Sequence, residues 1–174
     1  MDAKHRLLQA AETLFDQHGY MAVGMDRLTE AAEMSTRTLY KHAGSKAELM
    51  AAVLIERDRR FTNQTEVMSV DAFFTALKDW IELEGARGCL FLRAYSETGG
   101  ETPEIADTVM AHKTAFTARL REIVAADLGR DDPALAEQVL VLFEGAIHAA
   151  VYRGPESISA AQAAAAVLID KARS

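Results

Sequence analysis

The constraint that most limits what this chain can become is the scarcity of residues that stop a helix. Its three prolines, Pro103, Pro133 and Pro155, all lie in the second half. Proline inside a helix removes a backbone hydrogen bond and clashes with the preceding turn, so the first half is free of that veto. Apolar residues recur there at spacings of three and four, and no segment sustains the alternation of a half-buried strand. The chain is therefore predicted to be all-α, with its early breaks set by glycine.

A first helix is expected from about Lys4 to His18, with Leu7, Leu8, Ala11, Leu14 and Phe15 as its apolar stripe and Gly19 as its stop. A short second helix, about Asp26 to Glu33, turns Leu28, Ala31 and Ala32 inward. Ser35 reads as the N-cap of a third short helix, Thr36 to about His42. Ser45, with Glu48 three residues on, fits a capping box for a fourth helix reaching about Asn63. Beyond the polar stretch NQTEVMS, further helices are expected at about 70–84, 88–98, 103–128, 133–152 and 158–172. Asp132-Pro133 starts one of these, and Ser157 or Ser159 another. This makes about nine helices in two domains, 1–48 and 49–174.

Charge sharpens the division. The 174 residues carry a net charge of −7, but residues 1–62 balance nine Lys/Arg against nine Asp/Glu, and residues 63–174 hold ten against seventeen. Within the neutral part, residues 34–47 contain Arg37, Lys41, Lys46 and His42 and no acid. A locally basic head on an acidic body would meet a polyanion only at that head. Cys89 stands alone, which excludes an internal disulfide and a Cys-rich zinc site; in its Leu/Phe-rich run it reads as a small buried hydrophobe. His5, His18, His42, His112 and His148 show no metal-ligand spacing, so neither metal nor cofactor is expected. No Gly-rich phosphate loop and no Gly-x-Ser-x-Gly elbow occurs, and the chain is not expected to be an enzyme. The N-terminus has no signal-peptide pattern, and no run approaches the ~18 apolar residues of a membrane span. A cytoplasmic protein without a membrane partner is expected.

Two short helices joined tightly and preceded by a longer one suggest a helix-turn-helix. Such a unit needs a third helix thin and polar enough to enter the major groove. STRTLYKH, residues 35–42, meets that need. Ser35, Thr36, Arg37, Thr38, Tyr40, Lys41 and His42 can all hydrogen bond, and Leu39 is the core anchor. Arg37 suits guanine or phosphate, whereas Tyr40 and Lys41 suit phosphate. Arg27 on the supporting helix and Lys46 in the first turn of the fourth complete the candidate DNA-binding set.

Residues 7–50, LLQAAETLFDQHGYMAVGMDRLTEAAEMSTRTLYKHAGSKAELM, resemble the tetracycline-repressor (TetR) family of bacterial transcriptional regulators. The likeness rests on Ala-x-x-Leu-Phe ending in Gly19-Tyr20, on Leu28 with Ala31-Ala32, and on Leu39-Tyr40 followed by Gly44-Ser45-Lys46 and Leu49. It extends in outline to Arg87-Gly88-Cys89-Leu90 and to Leu142-Phe143-Glu144-Gly145-Ala146. The resemblance implies a homodimer that joins through its last two helices, 133–152 and 158–172, and reads a palindromic double-stranded DNA operator. It implies a repressor released by a small-molecule effector bound in a helical ligand-binding and dimerisation domain. Trp80, Phe91, Tyr95, Met110, Phe116 and Phe143 are that domain's large residues; core packing is their default role, and some are candidates to line a pocket. Arg93 and His112 are the candidate polar groups.

Four positions depart from the family pattern. Glu33 stands where glycine is usual in the turn, Thr29 where alanine is, Ala43 where an aromatic often precedes Gly44, and Met25 where a capping Ser or Thr is common. If the turn needs a left-handed backbone, Glu33 costs roughly 1 kcal/mol. Met21, Met25 or Met34 would have to fill the space left at Ala43, and Gly24 or Asp26 would have to cap the second helix. These departures motivate a second reading: a helical small-molecule binder or enzyme that keeps a vestigial head.

Overall fold

The computed structural model describes residues 2–174, and among them it contains nine helices and no strand. They are α1 (Ala3–His18), α2 (Met25–Ala31), α3 (Thr36–Ala43), α4 (Lys46–Gln64), α5 (Val70–Glu84), α6 (Leu90–Glu97), α7 (Pro103–Leu128), α8 (Pro133–Arg153) and α9 (Glu156–Arg173).

Local chemistry explains where they begin. Asp2 accepts from the His5 N–H, Ser35 from Thr38, Ser69 from Ala72 and Asp132 from Leu135. Each side chain satisfies one of the N–H groups that a helix start leaves without an internal partner. At α4 the capping box is complete: Glu48 N–H donates to Ser45 Oγ at 3.1 Å, and Ser45 N–H donates to Glu48 Oε2 at 2.6 Å. Two starts differ from expectation. α6 begins at Leu90 rather than 88 because Gly88 has φ +80°, outside helical space. α9 begins at Glu156, ahead of both candidate serines. The Ser157 hydroxyl is 3.0 Å from the carbonyls of Ala146 and Gly154 and donates backwards instead of capping.

The chain forms two compact units that do not follow a single cut. One comprises Met1–Arg59 with Leu90–His112, the other Arg60–Cys89 with Lys113–Ser174. Helix α4 runs unbroken through the 48/49 boundary expected from the sequence.

In the first unit, Leu7, Ala11, Phe15, Val23, Leu28, Leu39, Met50 and Leu54 are fully buried, with α1 touching both α2 and α3. Leu90, Phe91, Ala94, Ile105 and Val109 are also buried. The second unit is built on rings. Phe61 lies 5.2 Å from Trp80 and 6.0 Å from Phe116, and Phe116 lies 4.6 Å from Phe143. Burying each such side chain stabilises the fold by about 1.5–3 kcal/mol, so the cluster outweighs any single polar contact nearby. α9 packs on α8 and on α5.

Helix α8 corrects one expectation. Although no unbroken apolar run exists, this 21-residue helix is long and apolar enough, by length and composition, to cross a membrane. Glu137, Gln138, Glu144 and His148 interrupt the run without offsetting its average. Leu135, Ala136, Val139, Phe143, Ala146 and Ala150 join the core, which accounts for one face only.

Candidate nucleic-acid interface

The interface is assembled by the chain between α2 and α4. Helix α2 ends at Ala31 because Glu33 takes φ +51°, the only positive φ among described residues other than glycine. Met34 N–H donates to the Thr29 carbonyl at 3.2 Å and Glu33 N–H to the Glu30 carbonyl at 3.1 Å. That pair of bonds is the Schellman closure, which satisfies the last carbonyls of α2 and usually has glycine where Glu33 stands. The turn delivers Ser35, with φ −72° and ψ 151°, as the cap of α3; its Oγ accepts from Thr38 N–H at 3.2 Å and lies 2.9 Å from Thr38 Oγ1. At the other end of α3, Gly44 has φ +66°, and a Cβ there would fall 2.3 Å from Glu48 Oε2. Only glycine lets α3 stop there while the α4 capping box stays closed. Gly24 caps α2 without a side-chain hydrogen bond, as expected once Met25 occupies the first helical position.

Helix α3 has one buried edge, Leu39 and Ala43, four residues apart. Thr36, Arg37, Tyr40, Lys41 and His42 are exposed, and Thr38 is half-buried. Tyr40 is 50% exposed, which decides against its being a core aromatic. Ser35 and Arg27 are exposed; Arg27 lies 2.8 Å from His18 Nε2. The outer face thus carries two full cations and several neutral donors without an acid, groups of the kind that bond phosphate and base edges. Lys46 departs from this pattern. It is half-buried, its Nζ lies 4.3 Å from the centre of the Tyr20 ring, and burial holds its ammonium below the usual lysine range, with Glu97 pulling the other way. Burial, assisted by Glu104, also pushes the Tyr20 phenol up.

At Ala43 the missing ring is not replaced by Met21, which is 63% exposed; Met25 and Met34 are half-buried.

The six large residues considered for a pocket fall into two groups. Trp80, Phe116 and Phe143 come together around Phe61 in the second unit. Phe91, Tyr95 and Met110 belong to the first. Phe91 is buried and stacks on His112 with centroids 3.8 Å apart, Tyr95 is half-buried, and Met110 is 46% exposed. The polar candidates are engaged within the fold: Arg93 with Asp16, and His112 with Asp58 at 2.8 Å. Sequence reading missed Phe61 and Phe73 as core rings, although both sit at helical spacing from apolar neighbours. It also missed Asp16 and Glu97, whose partners lie more than 70 residues away along the chain, and periodicity carries no sign of such pairs.

A short polar helix, capped and held outward by a second short helix and a four-residue turn, defines a helix-turn-helix DNA-binding regulator. Residues 7–53 match the family model described as bacterial regulatory proteins of the tetR family. An HTH-type transcriptional regulator of Mycobacterium tuberculosis H37Rv is 28% identical over 145 residues, covering 78% of this chain and 68% of the relative. The HTH-type transcriptional activator FasR of Mycolicibacterium smegmatis is 43% identical over 53 residues, 30% of this chain and 24% of its own length. The crystal structure of a TetR-family transcriptional regulator from Streptomyces coelicolor superposes with a TM-score of 0.84 at 27% identity, covering 99% of this chain and 96% of that one. These likenesses support a TetR-family transcriptional regulator rather than an enzyme.

Proposed function

We propose that the protein is a cytoplasmic homodimeric repressor that reads a palindromic operator with two copies of α3 and releases it when a small molecule binds the helical body. Residues 1–48 read DNA, with Arg27, Ser35, Thr36, Arg37, Thr38, Tyr40, Lys41, His42 and Lys46 in contact, and residues 49–174 regulate and dimerise. The observation that carries this reading is the exposed, acid-free face of α3. One helix of eight residues touches too few base pairs to be specific alone, and a symmetric pair doubles the contacts.

The dimer is supported by apolar surface on the last two helices. Val141, Val151 and Tyr152 of α8 are 64%, 55% and 78% exposed, and Val167 of α9 is 68% exposed. Gly145, Ala160, Ala163 and Ala164 are exposed beside them in sequence, small enough for helices to approach closely. A partner copy would explain why α8 is apolar beyond its core edge. The effector is supported by the ring cluster around Phe61 and by Glu144, whose Oε1 accepts from Lys113 at 2.6 Å and whose Oε2 is buried with no hydrogen-bond partner. A donor on a bound molecule would satisfy that oxygen. Release requires that the effector prefer one of two head spacings, since equal affinity for both shifts nothing.

Selection of bound duplexes from a random pool tests the reading. The expected product is an inverted repeat with half-sites about one helical turn apart, or a multiple of it. Tyr40→Ala and Lys41→Ala should each weaken binding roughly tenfold, as expected for a lost charge-assisted phosphate contact. Undiminished binding by both variants overturns the assignment of α3. Because one relative is named as an activator, a reporter driven by the selected operator fixes the sign: output falls if the protein represses.

A further inference from the structure

Helix α6 and the start of α7 lie far from the head in sequence, yet they share its compact unit. The polar contacts that fasten them are specific. Arg93 donates to the Asp16 carboxylate at 3.1 Å and to the Asp16 carbonyl at 2.9 Å, and Asp16, on α1, is only 6% exposed. One turn further along α6, Glu97 Oε2 accepts from the Met21 N–H at 2.8 Å, in the link that leads to α2. The Glu97 carboxylate lies against Gly19: a Cβ there would sit 2.7 Å from Oε1 and 2.9 Å from Oε2. Gly19 also has φ +85°, a backbone that favours glycine, and any Cβ there would push the Glu97 carboxylate aside. The charge on Glu97 acts on Lys46, whose Nζ covers the Tyr20 ring in the first turn of α4. Two parts of the head meet at this carboxylate, the end of α1 and the entry to α2.

We infer that Arg93 and Glu97 are positioning residues for DNA reading, forming a polar clasp by which α6 sets the link between α1 and α2 and, through α2, the placement of α3. Neither residue touches DNA in this account. The Met21 bond holds the link four residues before α2 begins, and α2 supports α3 through the Schellman turn at Glu33. A charged acceptor on a backbone N–H is among the stronger hydrogen bonds, so its loss loosens the link and lets α2 and α3 shift together. The proposal rests on the DNA-reading function proposed above, but its first readout needs no DNA.

The experiment compares the full chain with Glu97→Ala, Arg93→Ala and the conservative Glu97→Gln, whose amide oxygen still accepts a hydrogen bond. Hydrogen exchange should quicken by about tenfold at the Met21 amide and across residues 25–43 in Glu97→Ala, with residues 113–174 unchanged. Affinity for a duplex selected by the wild-type protein should fall about tenfold, and Glu97→Gln should recover most of both effects. Arg93→Ala should reproduce the exchange pattern in residues 25–43. If exchange rises at Met21 alone while residues 25–43 and affinity stay at wild-type values, the clasp is local and the inference fails. Uniform acceleration along the whole chain likewise marks a general loss of stability and overturns it. Should the wild-type protein select no duplex at all, the proposed function fails while the exchange pattern still decides whether α6 positions α2 and α3.

Discussion

Glu33 shows how much one residue can reveal. A left-handed backbone at a side chain with a Cβ costs about 1–2 kcal/mol, and glycine avoids most of that while paying some entropy of its own. The sequence raised this cost conditionally, and the φ of +51° removes the condition. Glu33→Gly should therefore stabilise the fold by about 0.5–1 kcal/mol, read as a higher urea midpoint at unchanged slope. The same substitution removes an acid from the turn leading into α3, so affinity for DNA should rise, and most at low salt. Tyr40 is the complementary case. An aromatic beside the core anchor Leu39 can serve either as a core ring or as a phosphate ligand, and residue type alone does not separate the two. Burial does, with Leu39 fully covered and Tyr40 half exposed.

Among the elements, α5 and α7 were legible to the residue at 70–84 and 103–128, since Ser69, Gly85 and Pro103 mark their ends by local chemistry. The start of α9 was not, because whether a serine caps or bonds backwards depends on carbonyls brought close by tertiary structure. Long-range polar pairs such as Arg93 with Asp16 were invisible for the same reason. The acidic caps make their own prediction. A backbone N–H holds Asp2, Glu48 and Asp132 below their usual values of 3.8, 4.5 and 3.8. The unfolded chain then takes up these protons at higher pH than the folded one. The caps' contribution is complete above pH about 4.5 and is lost as pH falls through the lowered values. Glu48→Gln and Asp132→Asn should flatten the acid limb of a stability-against-pH curve, measured by urea unfolding at successive pH values.

For the whole molecule, the proposed dimer ties together surface and charge. Val167→Glu would place a carboxylate on the exposed apolar face of α9 without entering the core. Sedimentation should then show a smaller species than wild type, and affinity for the selected duplex should fall by at least about a hundredfold, because each head alone keeps only half of the contacts. Binding by the wild-type protein should weaken steeply with salt, with a slope counting the phosphates neutralised. Surplus acid in residues 63–174 opposes every other approach to the duplex.

The order in which the chain is made has a consequence for the clasp. Synthesis delivers the amino-terminal end first, and Asp16 precedes Arg93 by 77 residues. A nascent polypeptide that has released only α1 through α4 holds the proposed reading helix α3 but lacks Arg93 and Glu97, the proposed clasp. A gene fragment cut after α4 should yield a head that folds in outline and grips poorly. Under these two proposals the head would be steadied during translation only after α6 has emerged from the ribosome, and its pairing with a second copy would wait for α8 and α9.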